Sequence, residues 1–307
     1  EAVAANENDS LARFLLGYLL YHHDKRAEGI AQWEAGVAVS PADFSLRRAL
    51  GLAYAEEGLP LVKAAAQLEK AVELQPANIR ALSDLSALYA RAGRFQEQLT
   101  LLNKALARAP SDDDLAEGVL TAHLSEGDYA AAGRMIAEHR FSPRHRSYGL
   151  RDKYRVMRYG AGAQAYASGD YSAALRLFQS AMTPPASLGV DDFVGQASPR
   201  LEYYTARTLE RLGRTDEARR AYQRAVSGVA QLSGDRDSWN SENFFVVPAL
   251  ERLGRAGEGA RLEKRFEGFA LSERDSKTVQ YRAEARYLLG LVRAHQGRAD
   301  DARALLT

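Results

Sequence analysis

The groups in this 307-residue chain that could bind a metal, move a proton or hold an anion are few. Foremost are six histidines, the carboxylate runs Asp112-Asp113-Asp114 and Asp191-Asp192, and one basic segment. The histidines are His22, His23, His123, His139, His145 and His295. None lies three or four positions from another, so no helix face offers the His-x-x-x-His or His-Glu-x-x-His spacing of a zinc site. His22 and His23 are adjacent, and neighbours on a helix point about 100° apart, which suits turn residues better than chelation. Asp112-Asp113-Asp114 follows Pro110-Ser111 and precedes an apolar periodic stretch, where carboxylates cap a helix and meet the positive end of its dipole. Asp191-Asp192 lies in a glycine-containing stretch without the further oxygen ligands a cation needs, and reads as loop polarity. There is no cysteine, no Gly-x-Ser-x-Gly, no P-loop and no Gly-x-Gly-x-x-Gly. The expectation is a chain without catalytic residues, metal or cofactor.

The basic segment runs from His139 to Arg158. Arg140, Arg144, Arg146, Arg151, Lys153, Arg155 and Arg158 face Asp152 alone, with Tyr148, Tyr154 and Tyr159 interleaved. Basic residues among aromatics fit an anionic partner or single-stranded nucleic acid. Over the whole chain 41 basic residues balance 40 acidic ones, so no global field draws it to a polyanion. That balance favours a solvated helix start whose arginines pair with neighbouring segments. Nucleic acid is not the expected partner, and anion binding at Arg140, Arg144, Arg146, Arg151, Arg155 and Arg158 is a secondary expectation. With 46% hydrophobic residues the chain can form an ordinary core. No apolar run approaches the roughly 20 residues that span a bilayer, so membrane insertion is not expected. The absence of cysteine fits cytoplasm or periplasm, with the cytoplasm slightly preferred.

The elements that position these groups follow from a repeat. Gly93, Gly127, Gly169, Gly213, Gly254 and Gly297 each close one amphipathic stretch and, after a polar residue, precede another. Glycine there supplies the left-handed stop of a helix. Seven residues before each turn stands a mostly small residue: Ser86, Leu120, Gly162, Ala206, Val247 and Gly290, with Gly17 and Gly51 in two earlier units. Five residues after it comes a second, as in Ala132, Ala174 and Ala218, and four further on a large one, as in Ile136, Phe178 and Tyr222. Pro41, Pro76 and Pro110 close the early units. The first small positions are spaced 34, 35 and 34 residues apart, then 42, 44, 41 and 43. The chain therefore divides into a regular array, 1–140, and a long-period array, 141–307, with longer loops between units and lengthened helices. It begins at Glu1 and stops inside a second helix, which leads us to expect a segment of something longer.

This pattern resembles the tetratricopeptide repeat: small at positions 8 and 20, Tyr at 11, large at 24 and Pro at 32. The resemblance implies an all-α, right-handed superhelical solenoid of about eight helix-turn-helix repeats. The long-period half is similar to the C-terminal helical half of large bacterial proteins whose N-terminal half is a β-rich domain of unknown function. The matching motifs are Arg140-Phe141-Ser142-Pro143, Tyr148-Gly149, Ala167-Ser168-Gly169-Asp170-Tyr171 and Pro185-Ala186-Ser187-Leu188-Gly189. The loop Arg144-His145-Arg146-Ser147 departs from the aromatic and acidic loop of those proteins. That narrower likeness implies that any chemistry resides in an upstream domain, with carbohydrate as its substrate class.

Arrays of this family bind partners on the inner face of the first helix of each repeat. Carried onto this chain, position 5 reads Phe14, Arg48, Ser83, Glu117, Tyr159, Tyr203, Phe244 and Tyr287. Tyr18 and Arg207 stand at position 9, and Arg91, Arg211 and Arg252 at position 13. A groove of aromatics and arginines suits an extended peptide, a domain of the same parent chain, or sugar rings stacked on aromatic faces. The competing reading is that several of these rings pack between repeats. The leading expectation is a non-catalytic scaffold for a protein or peptide segment. The alternative is the helical accessory region of a carbohydrate-active enzyme.

Overall fold

A computed structural model describes residues 9–142, 148–185, 188, 198–227, 232 and 236–306. Sixteen α-helices and two short 3-10 segments make up the described regular structure, and there is no strand among the described residues. The chain forms two compact units, Glu1–His145 and Arg146–Thr307.

The first unit holds four helix hairpins: α1 (Ser10–His22) with α2 (Arg26–Val39), α3 (Phe44–Glu56) with α4 (Leu61–Leu74), α5 (Ile79–Arg91) with α6 (Phe95–Leu106), and α7 (Asp113–Glu126) with α8 (Tyr129–Glu138). Every first helix starts the same way. Asp9, Asp43, Asn78 and Asp112 each accept a hydrogen bond from the backbone N–H three residues on, at 3.0–3.2 Å. Each such cap satisfies one of the amides left open at a helix start, and losing it costs about 1 kcal/mol. Asp112 is thus the cap within the acidic run.

The hairpin turns are left-handed throughout. Gly58, Gly93, Gly127, Gly169, Gly213, Gly254 and Gly297 have φ between 67° and 87°. The first hairpin places Asp24 there instead, at φ 60°. A Cβ disfavours that region, though Asp and Asn tolerate it better than other side chains.

Small residues let the paired helices close. A Cβ added to Gly17 would stand 2.5 Å from the Trp33 indole. Trp33 is buried at 3% exposure and donates its Nε1–H to the Phe14 carbonyl at 3.1 Å. Successive hairpins are also tied by tyrosine. Tyr54 donates to Glu34 at 2.6 Å and Tyr89 to Glu69 at 2.8 Å. Burial and the Glu34 carboxylate together push the Tyr54 phenol up to about 12.

The third hairpin departs from the small-on-small rule. Its two positions are Ser86 and Gln98, both buried, and the Gln98 amide donates to Ser86 Oγ at 2.9 Å while Gln98 Oε1 has no partner. Ser86→Ala therefore strands a buried amide, and the loss is expected to be about 1–3 kcal/mol in urea unfolding. Adding Gln98→Ala removes the stranded group and should return part of that stability.

The second unit repeats the plan at larger spacing. It comprises α9 (Tyr148–Ala167), α10 (Tyr171–Ser180), α11 (Pro199–Arg211), α12 (Thr215–Ala225), α13 (Val246–Arg252), α14 (Ala256–Glu273), α15 (Val279–His295) and α16 (Ala299–Leu306). Part of the extra length is helix: α9, α14 and α15 have 20, 18 and 17 residues. The rest lies between hairpins. Before α13 come 3-10 segments at Arg236–Ser238 and Asn243–Phe245. Pro248 sits in the first turn of α13, where a missing N–H breaks no helical bond; one turn later it would. The core of this unit is aromatic, with Phe178, Tyr203, Tyr222, Phe244, Phe245 and Phe266 all buried.

Candidate functional site

In the first unit, a groove of about 300 Å³ opens between α1 and α3. Phe14, Tyr18, Trp33 and Phe44 form its walls, with Arg48 and Glu56 at the polar side. Tyr18 is 51% exposed, and Leu11 and Leu15 beside it on α1 are 63% and 51% exposed. Phe14 is half-buried against the core. Arg48 is held by Asp84, with Nε and carboxylate oxygen 2.5 Å apart. Arg91 is exposed and donates to the Ala55 carbonyl at 3.3 Å. The structure thus gathers Phe14, Tyr18 and Arg48 into one concavity.

The second unit treats its share of the expected groove differently. Phe244 is 3% exposed and Tyr203 8% exposed. Phe244 packs edge-on against Phe266 and His295, with centroids 5.6 and 5.8 Å apart. Tyr203 lies among Tyr204, Tyr222 and Phe245. Both rings are core, not groove, which corrects the expectation drawn from their register. Tyr159 is likewise packed against Phe178 and Tyr204, and burial raises its hydroxyl above the ordinary phenol range. Tyr287 is the one of these four aromatics left open, at 41% exposure.

The three arginines expected in this half of the groove make internal contacts. Arg207 donates to the Tyr203 hydroxyl at 3.1 Å, Arg211 to that of Tyr171 at 2.5 Å, and Arg252 pairs with Glu210 at 3.5 Å.

The expected anion site falls only in part within the described residues. Arg140 is exposed after α8, and Arg144 and Arg146 lie outside the described residues. On α9, Arg155 pairs with Asp152 at 3.3 Å, Arg158 donates to the Tyr154 hydroxyl at 3.0 Å, and Arg151 is also partnered. Asp191-Asp192 falls outside the described residues.

Two histidines take structural posts that their spacing did not disclose. His139 Nε2 lies 2.8 Å from Asp113 Oδ1, while Asp113 Oδ2 accepts the Ser142 N–H at 3.0 Å. This carboxylate anchors the chain leaving α8. His295 Nε2 lies 3.1 Å from Glu251. Among the described residues no group of three His, Asp or Glu is placed to hold a metal ion, and no helix is long and apolar enough to cross a membrane.

A second groove, of about 840 Å³, runs along the first turns of α15 and the 3-10 segments before α13. Sequence reasoning missed it, apart from Tyr287 and Arg155 on its wall. Its other side chains include Trp239, Glu273, Tyr281 and Glu284. The available signal was Tyr281-x-x-Glu284-x-x-Tyr287, which puts two rings and a carboxylate on one face of a helix.

Among the described residues, fold and grooves define an array of helix hairpins without strands. The tetratricopeptide repeat family model matches residues 63–113 and 269–307. No curated protein matches the sequence. Among solved structures, a chain of Naa15/Naa10 bound to HypK-THB aligns over 95% of this chain and 51% of its own, with TM-score 0.53 and 12% identity. A tetratricopeptide repeat protein from Parabacteroides merdae aligns over 92% of this chain and 98% of its own, at TM-score 0.49 and 14% identity. YrrB, described as a TPR protein with an unusual peptide-binding site, covers 61% of this chain and 93% of its own at TM-score 0.44 and 17% identity. At 12% identity, the likeness to the Naa15/Naa10 chain speaks to the fold alone.

Proposed function

We propose that this chain is a non-catalytic scaffold that binds a protein or peptide segment in the groove between α1 and α3. The observation that carries this reading is the exposed apolar side of α1. Leu11 and Leu15 are exposed on the same helix as Tyr18, which itself stands open in a concavity walled by Phe14 and Trp33. A helix that turns apolar residues to solvent beside a cleft has surface to bury against a partner. Arg48 and Glu56 supply one cation and one anion at the polar side, enough to orient a bound backbone or side chain. The family likeness agrees, since arrays of this kind bind on the inner face of the first helices.

Tyr18 is the residue to test, because its exposure separates binding from stability. Peptides selected from a random library on the wild-type chain should lose about thirtyfold in affinity on Tyr18→Ala, the loss typical of an interfacial aromatic anchor. The melting temperature should stay the same. Selected peptides that bind the folded Tyr18→Ala chain as tightly as wild type would refute the assignment.

A further inference from the structure

We infer that the groove of the second unit is a separate recognition site for arginine- or lysine-bearing peptides, with Glu284 as the carboxylate that receives the incoming cation. The groove wall carries Asp152, Glu242, Glu273 and Glu284 against Arg155 and Arg236, a net charge of −2. Arg200, which pairs with Glu242 at 3.2 Å, brings the neighbourhood to −1. The chain as a whole is +1, so this acidity is local.

What singles out Glu284 is its lack of a cation. Asp152 is matched by Arg155, Glu242 by Arg200 and Glu273 by Arg236. Glu284 Oε1 accepts the Ser241 backbone N–H at 2.6 Å, and no lysine or arginine meets it among the described residues. Tyr281 and Tyr287 flank it three residues away on either side, at 37% and 41% exposure. A carboxylate between two exposed rings is the arrangement that recognises a guanidinium or ammonium, by charge-assisted hydrogen bonds and cation–π attraction.

The protein's own arginines already use this chemistry. The Arg236 guanidinium lies 3.8 Å from the Tyr281 ring centroid while paired with Glu273. Arg200 lies 5.9 Å from that of Tyr287. Arg236 is a surface side chain, 43% exposed, so a peptide can displace it from Tyr281 and Glu273. In this reading Arg236 is an internal competitor for the site.

This site is independent of the groove between α1 and α3, and its failure leaves that assignment untouched. The test is fluorescence anisotropy of a labelled Gly-Arg-Gly-Arg-Gly-Arg peptide with the full chain, against the same peptide carrying Glu in place of Arg. Expected are binding of the arginine peptide alone, a loss of about tenfold on Glu284→Gln, and a gain of several-fold on Arg236→Ala. Asp275→Asn makes the same charge change at an 84%-exposed side chain in this unit and should leave the affinity unchanged. Thermal melts establish that each variant is folded. Equal binding of the acidic peptide, no binding of the arginine peptide at millimolar concentration, equal losses in Glu284→Gln and Asp275→Asn, or weaker binding by Arg236→Ala would each overturn the inference.

Discussion

Phe244→Ala is expected to cost the second unit about 3–5 kcal/mol, the range for deleting a fully packed ring. The ring touches Phe245, Phe266 and His295, and Phe266 in turn packs edge-on against Trp239 at 5.0 Å. Trp239 therefore reports the loss. In a Trp33→Phe background its emission should shift red at a urea concentration where the wild-type chain is still folded. Binding of selected peptides at the groove between α1 and α3 should persist while the first unit remains folded. The opposite pattern, an unchanged unfolding midpoint with lost peptide binding, would return Phe244 to a groove.

The second large effect concerns one glycine and the ring that covers it. Phe178 is 1% exposed, and a Cβ on Gly162 would stand 2.6 Å from its ring. Phe178→Ala should cost about 3–5 kcal/mol. Gly162→Ala alone forces the ring aside, an overpacking cost of about 1–3 kcal/mol, partly offset by the better helix propensity of alanine. In the Phe178→Ala background the same Gly162→Ala change meets empty space and should stabilise by about 1 kcal/mol. The cycle thus predicts a change of sign, measurable by urea unfolding of four proteins. Additive losses would mean that the ring does not rest on the glycine.

Much of this fold was legible in the sequence because its determinants are local. A left-handed glycine, a cap three residues before an amide, and small and large residues at fixed distances from a turn all lie within one hairpin. Gly93 to Gly297, Asp112, and Gly162 with Phe178 are of this kind. The grooves were legible only in part. Phe14, Tyr18 and Arg48 sit in units of regular length, where distance from the turn states which side of the helix faces the cleft.

Tyr203 and Phe244 sit in units of 41–44 residues, where register misreports the environment of a side chain. Phe244 is on a 3-10 segment, with a different angular step from an α-helix. Arg236 and Glu273 are 37 residues apart, and no spacing rule joins them. Cation pairing of that kind is a property of neighbouring elements.

The glycine–ring fit bears on how such a chain can be cut and rejoined. Gly17 is matched to Trp33, Gly51 to Leu68, Gly162 to Phe178 and Gly290 to Leu306, each pair with its own volume. A crossover inside a hairpin would set a tryptophan over a seat shaped for leucine, or leave that seat half empty. A crossover between hairpins keeps every matched pair on one piece. Duplication, deletion and laboratory shuffling of this chain should therefore succeed with whole hairpins as the unit of exchange and fail at junctions in the turns marked by the left-handed glycines.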